Sequence, residues 1–395
     1  MNRLIAIAAT AVFSLAPAGA QDLTITNARV IVGTGQVIDR GSVVVRAGKI
    51  AAISNGAPTG AAGQTIDAKG MTVMAGFIDA HRHIINGNEA QWFSMQAKVR
   101  MQEFLDAGYT TLMSGGGPVP GIVELKKKIE SGEIKGPRII TSGRADPRDF
   151  KTPELIREQV RKLKAAGVEI IKAAIEPDTN AAELELLAAA TDEAKKNGLD
   201  IMVHAVSVPA MLAAVRVGVT KLVHTPHGSF MTEADALAVK QAGIEVLSCT
   251  GFGVPTFGAF NQDNKPTFRD GKPWPQGIID GKGRGREAGE KAVNARTLWD
   301  AGVTYGFGTD TGYLPLLGLS HELRTLNLMF SPQDIIKIMG PNTAAFHSSM
   351  ADRGVLEVGK LGDLVVLNGN PLDGYWNLLN AKMTIKGGVV MMDKR

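Results

Sequence analysis

From about residue 75 to 310 the chain repeats one unit: an amphipathic helical stretch, a glycine, then a short apolar run without polar alternation. The glycines are Gly108, Gly167, Gly198, Gly218, Gly243 and Gly302, each where a left-handed cap would end a helix. The runs that follow them are Thr110 to Met113, Glu169 to Ala173, Asp200 to Ala205, Lys221 to Thr225, Glu245 to Thr250 and Thr304 to Gly308. Val73 to Ala80 and Arg138 to Ser142 bring the count to eight. Continuous apolar runs suit parallel strands buried on both faces. Eight strand–helix units predict an α/β fold closed as a (β/α)8 TIM-type barrel, with an open doubly wound sheet as the competing arrangement.

The flanks carry a different period. Residues 22–72 alternate in strand fashion around glycine turns, as in Ser42 to Val45 and Ile50 to Ile53. The stretch from Gly354 to Met392 is similar, with Leu364 to Leu367 and Met383 to Met391. Neither end is long enough to bury a core alone, so the two are expected to build one small β-sandwich. Residues 1–20 read as a signal peptide: Arg3, the apolar Leu4 to Leu15, then Ala18-Gly19-Ala20 before Gln21. The expected segments are thus a signal peptide at 1–20, sandwich at 21–74, barrel at 75–350 and sandwich again at 351–395. The expected location is periplasmic or secreted. Gly251 to Gly289 is a long connection rich in glycine, proline and charge, expected to serve as a lid, with a plain insertion as the alternative.

Composition adds exclusions. Hydrophobic residues are 44% and charged residues 21%, a globular balance. The formal charge of +4 is small and dispersed, which speaks against nucleic acid as a partner. After the leader no apolar run approaches the ~20 residues of a membrane span. A small-molecule substrate is the expected partner, and a homo-oligomer is compatible with the chain. The lone Cys249 can form no internal disulfide.

Histidine is scarce, with seven in the chain, so placement matters. In Gly76-Phe77-Ile78-Asp79-Ala80-His81-Arg82-His83 two histidines follow an apolar strand at i and i+2, and both can aim at one ion. His204, His224 and Asp310 each end another predicted strand, at the level where this fold builds its sites. Any one of them could be a satisfied polar group at a strand end; together they argue for a metal site. Lys172 lies within the apolar run Glu169 to Ala173. A buried lysine is costly unless neutralised, and a neutral amine can react with carbon dioxide to give an anionic carbamate able to bridge two metals. A lysine reaching past the strand end to solvent fits the run equally well.

These residues together resemble the amidohydrolase superfamily, and within it the imidazolonepropionase-like and metal-dependent carboxypeptidase or dipeptidase branch. The resemblance spans nearly all of the chain after the leader, through AGFIDAHRH, AGYTTLMSGGG, GPRIITSG, AAGVEIIKAA, MVHA, LVHTP, GVTYGFGTDTG and GVLEVGKLGDLVVLNGNPL. It implies two divalent ions, zinc by preference. His81, His83 and Asp310 would hold the first, His204 and His224 the second, and a carboxylated Lys172 would bridge them. It further implies hydrolysis of an amide or peptide-like C–N bond, with Asp310 carrying the proton and His227 contacting substrate. Two departures stand out. Ser114-Gly115-Gly116-Gly117 replaces an aspartate common in relatives, and Arg144-Ala145-Asp146-Pro147 replaces a Thr-Gly-Gly-His loop. An esterase or lactonase, a cyclic amidohydrolase or deaminase, and a non-catalytic exported binding protein are the competing functions.

Overall fold

The computed structural model of the chain describes residues 21–251 and 283–395. The signal peptide and the body of the expected lid lie outside the described residues.

Strands are numbered in chain order. The N-terminal part contributes β1 (Leu23–Ile31), β2 (Val37–Arg46), β3 (Lys49–Asn55), β4 (Gln64–Asp67) and β5 (Thr72–Ala75). The central part carries β6 (Phe77–Arg82), β7 (Tyr109–Ser114), β8 (Arg138–Ile140), β9 (Ser142–Arg144) and β10 (Ile170–Ile175). It continues with β11 (Asp200–Ala205), β12 (Lys221–Val223), β13 (Glu245–Leu247) and β14 (Thr304–Gly306). The C-terminal part adds β15 (Leu364–Leu367), β16 (Ala381–Lys386) and β17 (Val389–Asp393).

The architecture is α/β. β9 to β14 form a six-stranded parallel sheet in sequence order, and β6, β7 and β8 a three-stranded parallel one. β8 and β9 are one line of chain interrupted at Thr141, whose hydroxyl donates to Gly167 O at 3.0 Å. On the far side, Ala80 N donates to Phe307 O at 3.2 Å, Asp310 N to His81 O at 2.8 Å and His83 N to Thr311 O at 3.2 Å. These bonds bring the β14 end of one sheet against the β6 edge of the other.

Helices pack on the outside of these strands. The helix Pro153–Ala165 is typical: Thr152 caps it, proline sits in its first turn, and Ile156, Val160 and Leu163 bury one face. All six glycines expected to cap helices have positive φ, from 67° at Gly198 to 94° at Gly108. An inner cluster takes Ile78, Met113, Ile140, Ile170, Met202, Val223 and Leu247 from successive strands, with Phe346 packed among them. Two residues beyond Ile170 and Met202, on the same side of their strands, stand Lys172 and His204.

Both chain ends join a separate eight-stranded sheet, ordered β17-β16-β15-β5-β1-β2-β3 with β4 beside β1. A second apolar cluster, including Leu23, Ile25, Val43, Val73, Leu364 and Ile385, belongs to it.

Three expected runs need correction. Val73 to Ala80 is two strands, because the chain leaves one sheet and enters another at Gly76, where a Cβ would collide with the side chain of Thr110. Met383 to Met391 is likewise a hairpin, broken by Gly387 and Gly388 at φ 57° and 79°. The connection expected to run to Gly289 gives way earlier to the helix Gly283–Asp300. Its Glu290, Lys291 and Asn294 are buried polar residues, a face that apolar periodicity does not register. No helix among the described residues is long and apolar enough to cross a membrane.

Candidate metal centre

The strand ends bring six of the expected residues together. His81 Nε2 and His83 Nε2 each lie 3.0 Å from Asp310 Oδ1, and His224 Nε2 lies 3.5 Å from Asp310 Oδ2. The donor atoms of His81, His224 and Asp310 all fall within 4.8 Å of one another. The His204 ring is 4.3 Å from that of His224, centroid to centroid. Lys172, His204, His81, His83 and Asp310 line one cavity of about 200 Å³, joined by Arg144, Ala174 and Glu176. His227 is outside that wall; its Nε2 is 4.0 Å from Glu287 Oε1 on the helix that follows the undescribed segment.

Backbone conformation aims several of these groups. His224 has φ 82° and Asp310 φ 52°, left-handed conformations that a side chain adopts only when its surroundings impose them. Around Asp310 the imposing contacts are visible. Asp79, fully buried, accepts from His81 N and Thr309 N at 3.1 Å each and from the Thr309 hydroxyl at 2.7 Å. Arg82, between the two histidines, is buried under the same loop and donates to the hydroxyls of Thr309 and Thr311 and to the carbonyl of Tyr313. Asp79 and Arg82 thus hold the Asp310 segment from below. Their roles escaped sequence reasoning, although their positions inside the histidine run were a signal.

Electrostatics fit cation binding. Burial is the main cause that lowers His81 to about 4 and His204 to about 3, and it holds His224 well below the usual imidazole value. All three are therefore neutral near pH 7, the form that donates a lone pair to a metal. Burial pushes the Asp310 carboxyl up, but His224 and His81 outweigh it and hold the group well below its ordinary value. Lys172 is 2% exposed, its Nζ has no hydrogen-bond partner, and burial lowers it to about 8 against an opposing pull from Asp310. A buried, unpartnered amine beside neutral imidazoles and one carboxylate is a poor structural element and a good ligand set. The solvent-reaching alternative for Lys172 does not hold.

Two predictions follow from this geometry. A Cβ at Gly115 would stand 3.0 Å from the His81 ring, so the glycine gives that imidazole its room. Gly115→Ala is expected to weaken metal affinity by roughly 10- to 100-fold, the usual size of a disturbed ligand support, read by competition with a chromogenic chelator. The second concerns the metal-free protein. The folded-state values of His81 and His204, about 4 and about 3, lie below the ordinary value of 6.5, so the unfolded chain binds more protons in between. Their contribution is complete above the unfolded value and lost as pH falls through the folded ones. The urea midpoint of metal-free protein should therefore drop between pH 7 and pH 5; a flat profile would contradict the assigned burial.

The amidohydrolase family pattern matches residues 72–391. The chain belongs to the amidohydrolase family. A stretch of 100 residues is 34% identical to imidazolonepropionase of Herpetosiphon aurantiacus, covering 25% of this chain and 22% of that protein. The chain thus matches about a fifth of the length of that curated relative. Among solved structures, a Bifidobacterium longum protein assigned as a prolidase superposes with TM-score 0.77 at 25% identity, over 95% of this chain and 96% of that one. A Xaa-Pro dipeptidase with methionine bound in its active site superposes with TM-score 0.72 at 22% identity, over 93% and 99%.

Proposed function

We propose that the protein is a binuclear metal-dependent hydrolase of amide or peptide-like C–N bonds, with an N-acyl amino acid or dipeptide-like substrate. The observation that carries this reading is the convergence of His81, His204, His224 and Asp310 around the buried, unpartnered Lys172 amine. His81, His83 and Asp310 would hold one ion, His204 and His224 the other, with Lys172 as a carbamate between them. Imidazole and carboxylate donors suit zinc. When bound, the ions supply Lewis acidity, lowering the pKa of water and polarising the scissile carbonyl. Asp310, a carboxylate at neutral pH, takes a proton from the attacking water and hands it to the leaving amine. His227, outside the cavity wall with Nε2 4.0 Å from Glu287 Oε1, would meet the substrate's carbonyl or carboxylate.

The same reading closes the two parallel sheets into one (β/α)8 barrel over about residues 75–350. Support comes from the Thr141 crossing and from the bonds between the β14 end and β6. The terminal sheet, folded around its own apolar cluster, would be the sandwich built from 21–74 and 351–395. Residues 1–20 would direct export to the periplasm or beyond. An esterase or lactonase is the second reading, since activated water attacks esters too.

The test is metal analysis and hydrolysis with the same preparation, expressed with zinc and bicarbonate. About two ions per chain with turnover of N-acyl amino acids or dipeptides is expected, lost to chelator and restored by metal. Ester turnover alone would hand the site to the second reading. Metal-free protein without activity would sink both.

A further inference from the structure

Arg144 ends β9 and is the register partner of Lys172 on β10. Paired residues of neighbouring strands project to the same face, and both side chains line the cavity of the candidate metal centre. Across from them Gly116 gives way: a Cβ there would stand 3.0 Å from Cγ of both Arg144 and Lys172. The guanidinium is fixed along one edge. Its Nε donates to Asp146 Oδ2 at 2.7 Å, and Nη2 lies 2.7 Å from the same oxygen. Nη1 has no partner among the described residues, and the side chain is 47% exposed while Asp146 is 14% exposed. One edge is therefore anchored by a largely covered carboxylate, and the rest of a planar, permanently charged fork is left at the cavity wall. Lys172 lies at the floor, 2% exposed, and is the residue read as the carbamate, so Arg144 is the lining cation a substrate meets. Glu176, the other wall acid, lies by His204, with Oε1 3.8 Å from its Nε2. The cavity is thus cationic towards Arg144 and anionic towards Glu176.

We propose that Arg144 is the specificity-determining residue of this site: it takes a carboxylate of the substrate, selecting amides that carry a free acid over neutral ones. The proposal rests on the hydrolytic reading of the cavity for its substrate, and on the Arg144–Asp146 geometry for the anion. Asp146 sets the guanidinium before the ligand arrives, so little rotamer freedom is lost on binding. Neutral analogues would leave the fork edge without its anion, and a site built for a polar partner rejects analogues that lack it.

The test titrates metal-loaded full-length protein with L-leucine and with L-leucinol, which lacks the carboxylate and cannot be hydrolysed. Wild type is expected to prefer leucine by about tenfold or more, the usual reach of a charge-assisted pair. Arg144→Gln should bring the ratio close to one, and Arg144→Lys should restore part of it. Any direct pull of the ions on the carboxylate is common to all three proteins, so the change in ratio reports Arg144. A ratio unchanged in Arg144→Gln, or no preference for leucine in wild type, overturns the proposal. Should Arg144→Gln fail to fold, an Arg144→Lys ratio equal to that of wild type overturns it as well, because a point charge cannot replace a fork. Hydrolysis of N-acetyl-L-leucine and its amide by wild type is read alongside. If neither is cleaved the hydrolytic reading fails, while the leucine-to-leucinol ratio still decides the anion site.

Discussion

Lys172→Ala is expected to lower metal content from about two ions per chain to one or fewer and to cut turnover on the order of 10³-fold. The reason lies in the state of the amine. Its Nζ is buried without a hydrogen-bond partner, and burial has brought it to about 8. At pH 7 roughly a tenth of such amines are neutral, and only the neutral form adds to carbon dioxide. In that step the nitrogen lone pair forms an N–C bond as one C=O π bond of carbon dioxide opens onto oxygen, one proton leaves the nitrogen, and an anion replaces the neutral amine. On the proposed centre, alanine would remove that anion and leave the imidazoles with too little negative charge to hold two divalent ions. Lys172→Arg separates this role from simple filling of space. It keeps the charge but cannot lose its proton, so it should fail as badly as alanine. Metal analysis and kcat/KM in the presence of bicarbonate read both variants. Full metal content in Lys172→Ala would remove the bridging role.

Asp310→Asn is expected to lower kcat by about 10² to 10⁴-fold, the range of a lost acid–base group, with a smaller effect on KM. Asparagine preserves the shape that φ 52° and the Thr309–Thr311 loop impose, and it can still offer an oxygen to an ion. It cannot accept a proton from water. The prediction separates two functions of one carboxylate, because metal content should fall far less than kcat. Parallel loss of both would make Asp310 a ligand without a proton-carrying role.

Most of the centre was legible in the chain because its residues obey one rule. Lys172 and His204 sit two positions beyond core residues of their strands, His224 follows Leu222-Val223 directly, and His81 and Asp310 lie at the end of β6 and just beyond β14. What stayed hidden has physical causes. Arg144 precedes Ala145-Asp146-Pro147, a loop-like context, and only the β9–β10 register puts it beside Lys172. Glu290 and Asn294 are buried because they bond to a loop: Glu290 accepts from Gly228 N at 2.7 Å, and Asn294 donates to Pro226 O and Ser229 O at 2.9 Å each. An apolar count cannot see a helix face buried through such bonds. Val73 to Ala80 looked like one strand because moving from sheet to sheet needs no polar break, only Gly76.

That crossing at Gly76 has a consequence for how the molecule assembles. β5 ends at Ala75, whose antiparallel partner is Leu364, and β6 with His81 begins two residues later. The strand that presents the first histidines is thereby moored, on one edge of β5, to a segment made long after it. A nascent chain can pair β5 with β1 and β6 with β7 early, but the brace on the other edge of β5 waits until Leu364 to Leu367 has been made. Such distant pairing slows folding, and it makes the C-terminal strands a completion step: a chain stopped before Leu364 would carry every metal-binding residue and lack the brace behind two of them.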